Sequence, residues 1–139
     1  RLDKNATGLL ILSNDGRIHQ RLSDPSLDHE KEYDVTLKKD IHDSDLKKFE
    51  TGIIIDGRKT RPASVTRIAQ NRFRIILKEG RNRQIRKMAE AVGNSVSRLH
   101  RIRFSDIKIG NLEPGKWRYL STGEILSLMK KMGFNLKKS

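Results

Sequence analysis

The run Gly8-Leu9-Leu10-Ile11-Leu12-Ser13 limits the possible folds more than any other feature of the chain. It is the longest uninterrupted apolar stretch, yet far shorter than the roughly 20 residues of a membrane span. Continuous apolarity over this length reads as a strand buried on both faces. Asn14-Asp15-Gly16 closes it with turn chemistry. A chain built around such a strand needs further elements to cover it, and the sequence supplies them in mixed order.

Gly16 to Leu22 reads as a short helix stopped near Pro25. Glu32 to Lys38 alternates, with Tyr33, Val35 and Leu37 on one face of a half-buried strand. His42 to Thr51 is predicted helical, with Leu46 and Phe49 inward and Gly52 as its stop. Ile53-Ile54-Ile55 followed by Asp56-Gly57 signals a hairpin. Ala63 to Ile68 and Arg72 to Lys78 read as strands. Asn82 to Val92 reads as a helix with Ile85, Met88, Ala89 and Val92 on one stripe, ended by Gly93. Val96 to Ile109 is expected to be extended, and Trp117 to Leu120 a last short strand. Ser121-Thr122-Gly123-Glu124 has capping-box spacing ahead of a helix whose apolar face is Ile125, Leu128, Met129 and Met132. Asn135 to Ser139 reads as a basic tail. About seven strands and four helices without strict β-α alternation argue an α+β domain with a mixed or largely antiparallel sheet. No linker or repeat divides the 139 residues, so a single domain, 1–139, is expected.

Charge narrows the function. Thirty Lys+Arg against 17 Asp+Glu leave a formal net charge of +13. Such a field attracts polyanions and speeds encounter with them, which points to nucleic acid. A membrane is not expected as partner, and no secretory signal is visible. With no cysteine, the chain has no disulfide, thiol nucleophile or thiolate zinc site. His19, His29, His42 and His100 lack metal-ligand spacing and read as surface or packing residues. The chain starts at Arg1 rather than Met, so it is expected to begin inside a longer product or after processing.

Three constellations could carry chemistry. Asp3, flanked by Arg1 and Leu2, stands just before the apolar run, where a carboxylate can be held rigidly and still face a cleft. On the residues alone, an ordinary turn or cap carboxylate is the favoured reading. Glu79 to Lys87 (EGRNRQIRK) joins a glycine turn to a helix start, and Arg83, Arg86 and Lys87 share a helical stripe suited to phosphates. Arg98 to Arg103 (RLHRIR) puts Arg101 and Arg103 on one strand face with Leu99, opposite Ile102 and Phe104. Aromatics make up only 5% of the chain, too few for a long stacking track. Phe49, Phe73, Phe104 and Trp117 read as core, and Tyr33 is the one ring set among charges.

At these same residues the sequence resembles the RsuA-type pseudouridine synthases, which act on bacterial ribosomal RNA. The matching stretches are RLDKNATGLLILSNDG (1–16), HEKEYDV (29–35), EGRNRQIRKMAEAVG (79–93) and RLHRIRFSDIKIGNLEPGKWRYL (98–120). They keep the family's order and spacing across nearly the whole chain. The resemblance implies a mixed, mostly antiparallel sheet flanked by helices around a central cleft. It implies Asp3 as the catalytic carboxylate, Tyr33 as the tyrosine of the K-x-Y strand, and Arg86 as the arginine that pairs with the catalytic aspartate. Family members commonly begin earlier, with a Lys-Pro motif and often a small S4-type domain. They also commonly show Ile-Gly where this chain has Phe104-Ser105, which reads as tolerated variation at a strand end.

The implied reaction breaks the N1–C1′ bond of a uridine, turns the uracil and joins C5 to C1′, with no cofactor and no metal. Asp3 would act near C1′ as nucleophile or as base toward the C2′ proton, with both routes open. Arg86 would orient it, and Tyr33 would stack on the uracil and help remove the C5 proton. The base has to leave its stack to reach them. Arg1, Arg81, Arg83, Gln84, Lys87, Arg98, Arg101 and Arg103 would contact RNA. The expected partner is ribosomal RNA or ribosomal particles, of the large subunit before the small, met by a monomer in the cytoplasm. A non-catalytic RNA- or ribosome-binding module is the main rival reading. A nuclease is a second, weakened by the lack of clustered acids or a histidine pair.

Overall fold

A computed structural model describes residues 2–134. The order is β1 (Thr7–Gly8), α1 (Gly16–Ser23), β2 (Lys31–Leu37), α2 (Asp43–Thr51), β3 (Ile54–Ile55), β4 (Arg58–Lys59), β5 (Ser64–Ala69), β6 (Arg72–Leu77), α3 (Gln84–Ala91), β7 (Val96–Phe104), β8 (Ile107–Lys108) and α4 (Thr122–Lys131). One sheet runs β1-β7-β2-β6-β5, with β8 added to β7, and β3-β4 forms a separate hairpin. Only β1 and β7 pair in parallel, so the sheet is mixed and mostly antiparallel, as expected. The Arg1 and 135–139 expectations lie outside the described residues.

Two apolar cores flank this sheet. In the first, Val35, Leu37, Phe73, Ile75 and Leu99 meet Leu46 and Phe49 of α2 and Ile85, Met88 and Ala89 of α3. In the second, Leu9, Phe104 and Ile107 meet Leu128 and Met132 of α4, with Ile18 and Leu22 of α1 alongside. Strand β7 contributes to both, through Leu99 and Phe104. The alternation read in β2 and the stripe read in α3 therefore point into the first core, where burial supplies the stabilisation that short helices lack alone.

Four expectations need correction. The apolar run leaves the sheet after Gly8: Leu9 is buried, but Leu10 and Leu12 are 51% and 82% exposed. Its last ladder bond is from Leu9 N–H to Arg101 O at 2.9 Å, so it is buried on one face only. The stretch Val96 to Ile109 is broken by a turn in which Ser105 is left-handed (φ 54°). That conformation favours glycine, which accounts for the glycine common at this position in the family it resembles. Trp117 to Leu120 forms no strand, and Trp117 is 73% exposed rather than core. Ile125 is 42% exposed, which leaves Leu128, Met129 and Met132 as the packed face of α4.

The capping box at α4 is present as read. Glu124 N–H donates to Ser121 Oγ at 3.1 Å, and Ser121 N–H donates to Glu124 Oε1 at 2.8 Å. The Arg118 fork and the Ser121 amide pull Glu124 down to about 2. Its folded value lies below its unfolded one, so its stabilisation is present above about pH 4.5 and is lost as pH falls toward 2. Ser121→Ala is expected to cost about 1 kcal/mol. Glu124→Gln should flatten the acid limb of a melting-temperature profile, and an unchanged limb would refute the pairing.

Candidate active site

The two cores leave a cleft of about 610 Å³ between them, floored by β2 and β7. Residues 2–4 and Ala6 form one wall, the end of α1 and Pro25 another, and the Glu79–Gln84 loop a third. Lys31, Tyr33, Leu99, Arg101 and Phe104 rise from the floor. All five lie on the core side of their strands, because Lys31 pairs with Phe104, Tyr33 with Arg101 and Val35 with Leu99.

Asp3 reaches this cleft through backbone geometry. Ala6 N–H donates to Asp3 O at 3.0 Å and turns the chain into β1. At Gly8 (φ +112°) a Cβ would stand 2.2 Å from Arg101 O, so only glycine permits the close parallel approach to β7. Arg86, on the third residue of α3, donates from Nη2 to Asn5 O at 3.0 Å. Its Nε lies 3.9 Å from Asp3 Oδ2 and, alone among the described buried side-chain atoms, has no hydrogen-bond partner. The Asp3 side chain is 32% exposed, open to the cleft. Tyr33 is pushed up by burial, an effect that Arg101 partly offsets and Asp3 adds to slightly. Asp3, Arg86 and Tyr33, 83 positions apart at the extremes, thus share one neighbourhood.

The expected RNA contacts do not stay together. Arg81 lines the cleft but spends its fork on the carbonyls of Ile55 (2.6 Å) and Arg58 (3.1 Å). Arg83 is left-handed at the start of α3, exposed, lines the cleft and has no ion pair among the described residues. Gln84 lines the cleft but is buried, accepting from Arg81 N–H and donating to Glu79, so it braces the loop. Lys87 points away to Asp56 at 2.6 Å. The shared stripe of Arg83, Arg86 and Lys87 fails because the helix begins only at Gln84. Arg98 is exposed on the opposite sheet face, near the buried Asp34.

A register shift between Glu32 and Tyr33 overturns the reading of RLHRIR. Glu32 pairs with Arg103 and Tyr33 with Arg101, so Ile102 is bulged. Arg101 therefore turns to the floor with Phe104, while Arg103 turns outward. There Arg103 is held by Glu32 (2.9 Å), Glu30 (3.3 Å) and the Ser105 carbonyl (2.7 Å). Its fork is thus engaged within the protein.

Lys31 is a cleft cation the sequence reading missed, as are Lys4 and Lys78. Burial first, then the charge of Arg101, pushes the Lys31 ammonium below the usual lysine range. The signal was available, since alternation puts Lys31 on the inward face with Tyr33. His29 is packing, as expected. It is buried on Phe104 (5.4 Å between rings), and burial holds it below its usual value. No group of three or more potential metal ligands occurs among the described residues.

Fold and cleft together define a class: an α+β domain with a cation-rich cleft whose lining also carries the carboxylates of Asp3, Asp24 and Glu79. Comparison with known proteins agrees. Residues 1–91 match the RNA pseudouridylate synthase family. A dual-specificity RNA pseudouridine synthase RluF of Salmonella typhi is 38% identical over 94% of this chain and 45% of its own length. Ribosomal small subunit pseudouridine synthase A of Yersinia pestis is 39% identical over 92% of this chain and 56% of its own length. A crystal structure of a pseudouridylate synthase superposes with a TM-score of 0.86 at 33% identity, covering 91% of this chain and 56% of that one. The chain belongs to the RNA pseudouridylate synthase family. It spans about half the length of the curated relatives it matches.

Proposed function

We propose that this chain carries the catalytic centre of an enzyme that isomerises a specific uridine of ribosomal RNA to pseudouridine in the cytoplasm. The observation that carries the reading is the Asp3–Arg86 pair at the rim of a basic cleft, with Tyr33 on its floor. The carboxylate acts at the sugar, and the arginine restrains it from one side. The N1–C1′ bond breaks, the freed uracil turns, and C5 joins C1′. The C5 proton leaves, directly or through water to Tyr33, and N1 ends protonated, so atoms balance without a co-reactant. Small-subunit and dual-specificity relatives match equally well, so identity does not choose the ribosomal subunit.

The test is incubation of this 139-residue chain with protein-free rRNA and ribosomal particles of both subunits. Pseudouridine is then mapped by base-resolved chemistry. A new pseudouridine at one position is the expected result, and none with any substrate would reduce the protein to an RNA binder. Arg83, the exposed cleft arginine without an ion pair, supplies a second expectation. Arg83→Ala should lower the slope of log affinity against log salt by about 0.9, the share of one phosphate on duplex. An unchanged slope would remove Arg83 from the RNA interface.

A further inference from the structure

Arg101 is 2% exposed, yet no carboxylate lies within ion-pair distance of it among the described residues. A buried guanidinium without a counter-ion is costly, and a surface phosphate contact would not require it. Two contacts hold it from behind and beside. Its Nε donates to Leu9 O at 2.8 Å, and its Cζ sits 5.7 Å from the Phe104 ring centre. What remains of the fork faces the cleft, directly across the strand pair from Tyr33. Side chains so opposed have their Cβ atoms about 5 Å apart. The Ile102 bulge creates the juxtaposition, since regular alternation would give Arg101 and Arg103 the same face.

We propose that Arg101 is a positioning residue for the reaction, acting through Tyr33. Its clamped guanidinium donates to the phenolic oxygen and so directs the O–H toward the base in the cleft. The inference rests on the function proposed above for its catalytic meaning, although the Arg101–Tyr33 coupling stands without it. A phenol that accepts from a fixed guanidinium cannot turn its own hydrogen that way, so one orientation is selected. When Tyr33 gives its O–H proton to N1 of the turned uracil, the same guanidinium stabilises the phenolate left behind, and that phenolate takes up the C5 proton. The other charged or titratable groups lining the cleft are Asp3 and Lys4 on the N-terminal wall, Asp24 after α1, His29 and Lys31 at the start of β2, and Lys78, Glu79, Arg81 and Arg83 before α3.

The chain has two tyrosines, and Tyr119 is 85% exposed, so Tyr119→Phe leaves Tyr33 as the single phenol. Its titration is followed by the ring ¹³Cζ resonance. In this background Arg101→Gln should raise the phenol's proton affinity about tenfold or more. Turnover should fall by about 10- to 100-fold with KM nearly constant, and Arg101→Lys should recover part of it. An unmoved titration in folded Arg101→Gln overturns the proposal, whatever the activity. A moved titration in a protein that modifies no uridine supports the coupling and sinks only the catalytic reading. If Arg101→Gln does not fold, Tyr33→Phe reads the contact from the other side. Faster exchange of the Arg101 Nη protons is then expected, and unchanged exchange overturns the proposal.

Discussion

Asp3→Asn is expected to abolish pseudouridine formation, by about 10⁴-fold or more, and to leave RNA affinity within a few-fold of the wild type. The amide is nearly isosteric and keeps the turn that Asp3 O makes with Ala6 N–H, so the wall of the cleft should persist. What disappears is the negative oxygen, and neither the nucleophilic nor the proton-abstracting route survives that loss. Binding is insulated because cleft cations such as Arg83, Lys31 and Lys4 remain. Filter binding and single-turnover assays on the same preparation separate the two effects. Normal turnover by Asp3→Asn would remove Asp3 from the chemistry and return the chain to the class of basic RNA-binding modules.

Gly8→Ala is the second large expectation, and it acts through backbone. A Cβ at this position meets Arg101 O at 2.2 Å and Arg101 N at 2.6 Å, and φ is +112°. Backbone atoms cannot step aside as a flexible side chain would, so β1 must separate from β7. A destabilisation of about 2–4 kcal/mol follows, a substantial part of a domain's total stability. Thermal melts should show a fall of roughly 10 °C. The same separation moves the Asp3 segment, so activity in the folded fraction should drop as well. Gly16→Ala is the control, because a Cβ there meets nothing within 4 Å at the start of α1. A melting point for Gly8→Ala equal to that of Gly16→Ala would show that the close parallel approach is not needed.

Much of the architecture was legible because it depends on local periodicity. The β2 alternation, the α2 face with Leu46 and Phe49, the α3 stripe and the Ser121–Glu124 box each appear where read. The failures share a cause. Leu10 and Leu12 look buried in sequence, but the β7 ladder stops supporting the run after Leu9. Trp117 looks like core, but its segment has no ladder partner among the described residues. Among the polar residues singled out, Arg81, Arg83, Gln84 and Arg101 line the cleft, while Lys87, Arg98 and Arg103 point elsewhere. Lys87 and Arg103 have partners on elements distant in sequence, whereas Gln84 finds its partners in the loop just before α3.

The residues by themselves determined the α+β class, the basic character and the helix and strand periods, because these follow from charge count and from hydrophobic spacing along a few turns. Tertiary structure brings Asp3 to Arg86, a meeting that only the family resemblance implied beforehand, and it alone decided that Arg101 rather than Arg103 pairs across from Tyr33. A parallel pairing made possible by one glycine and a single bulged residue set those meetings. Strand register is fixed by contacts across the sheet, and a shift of one residue exchanges its two faces.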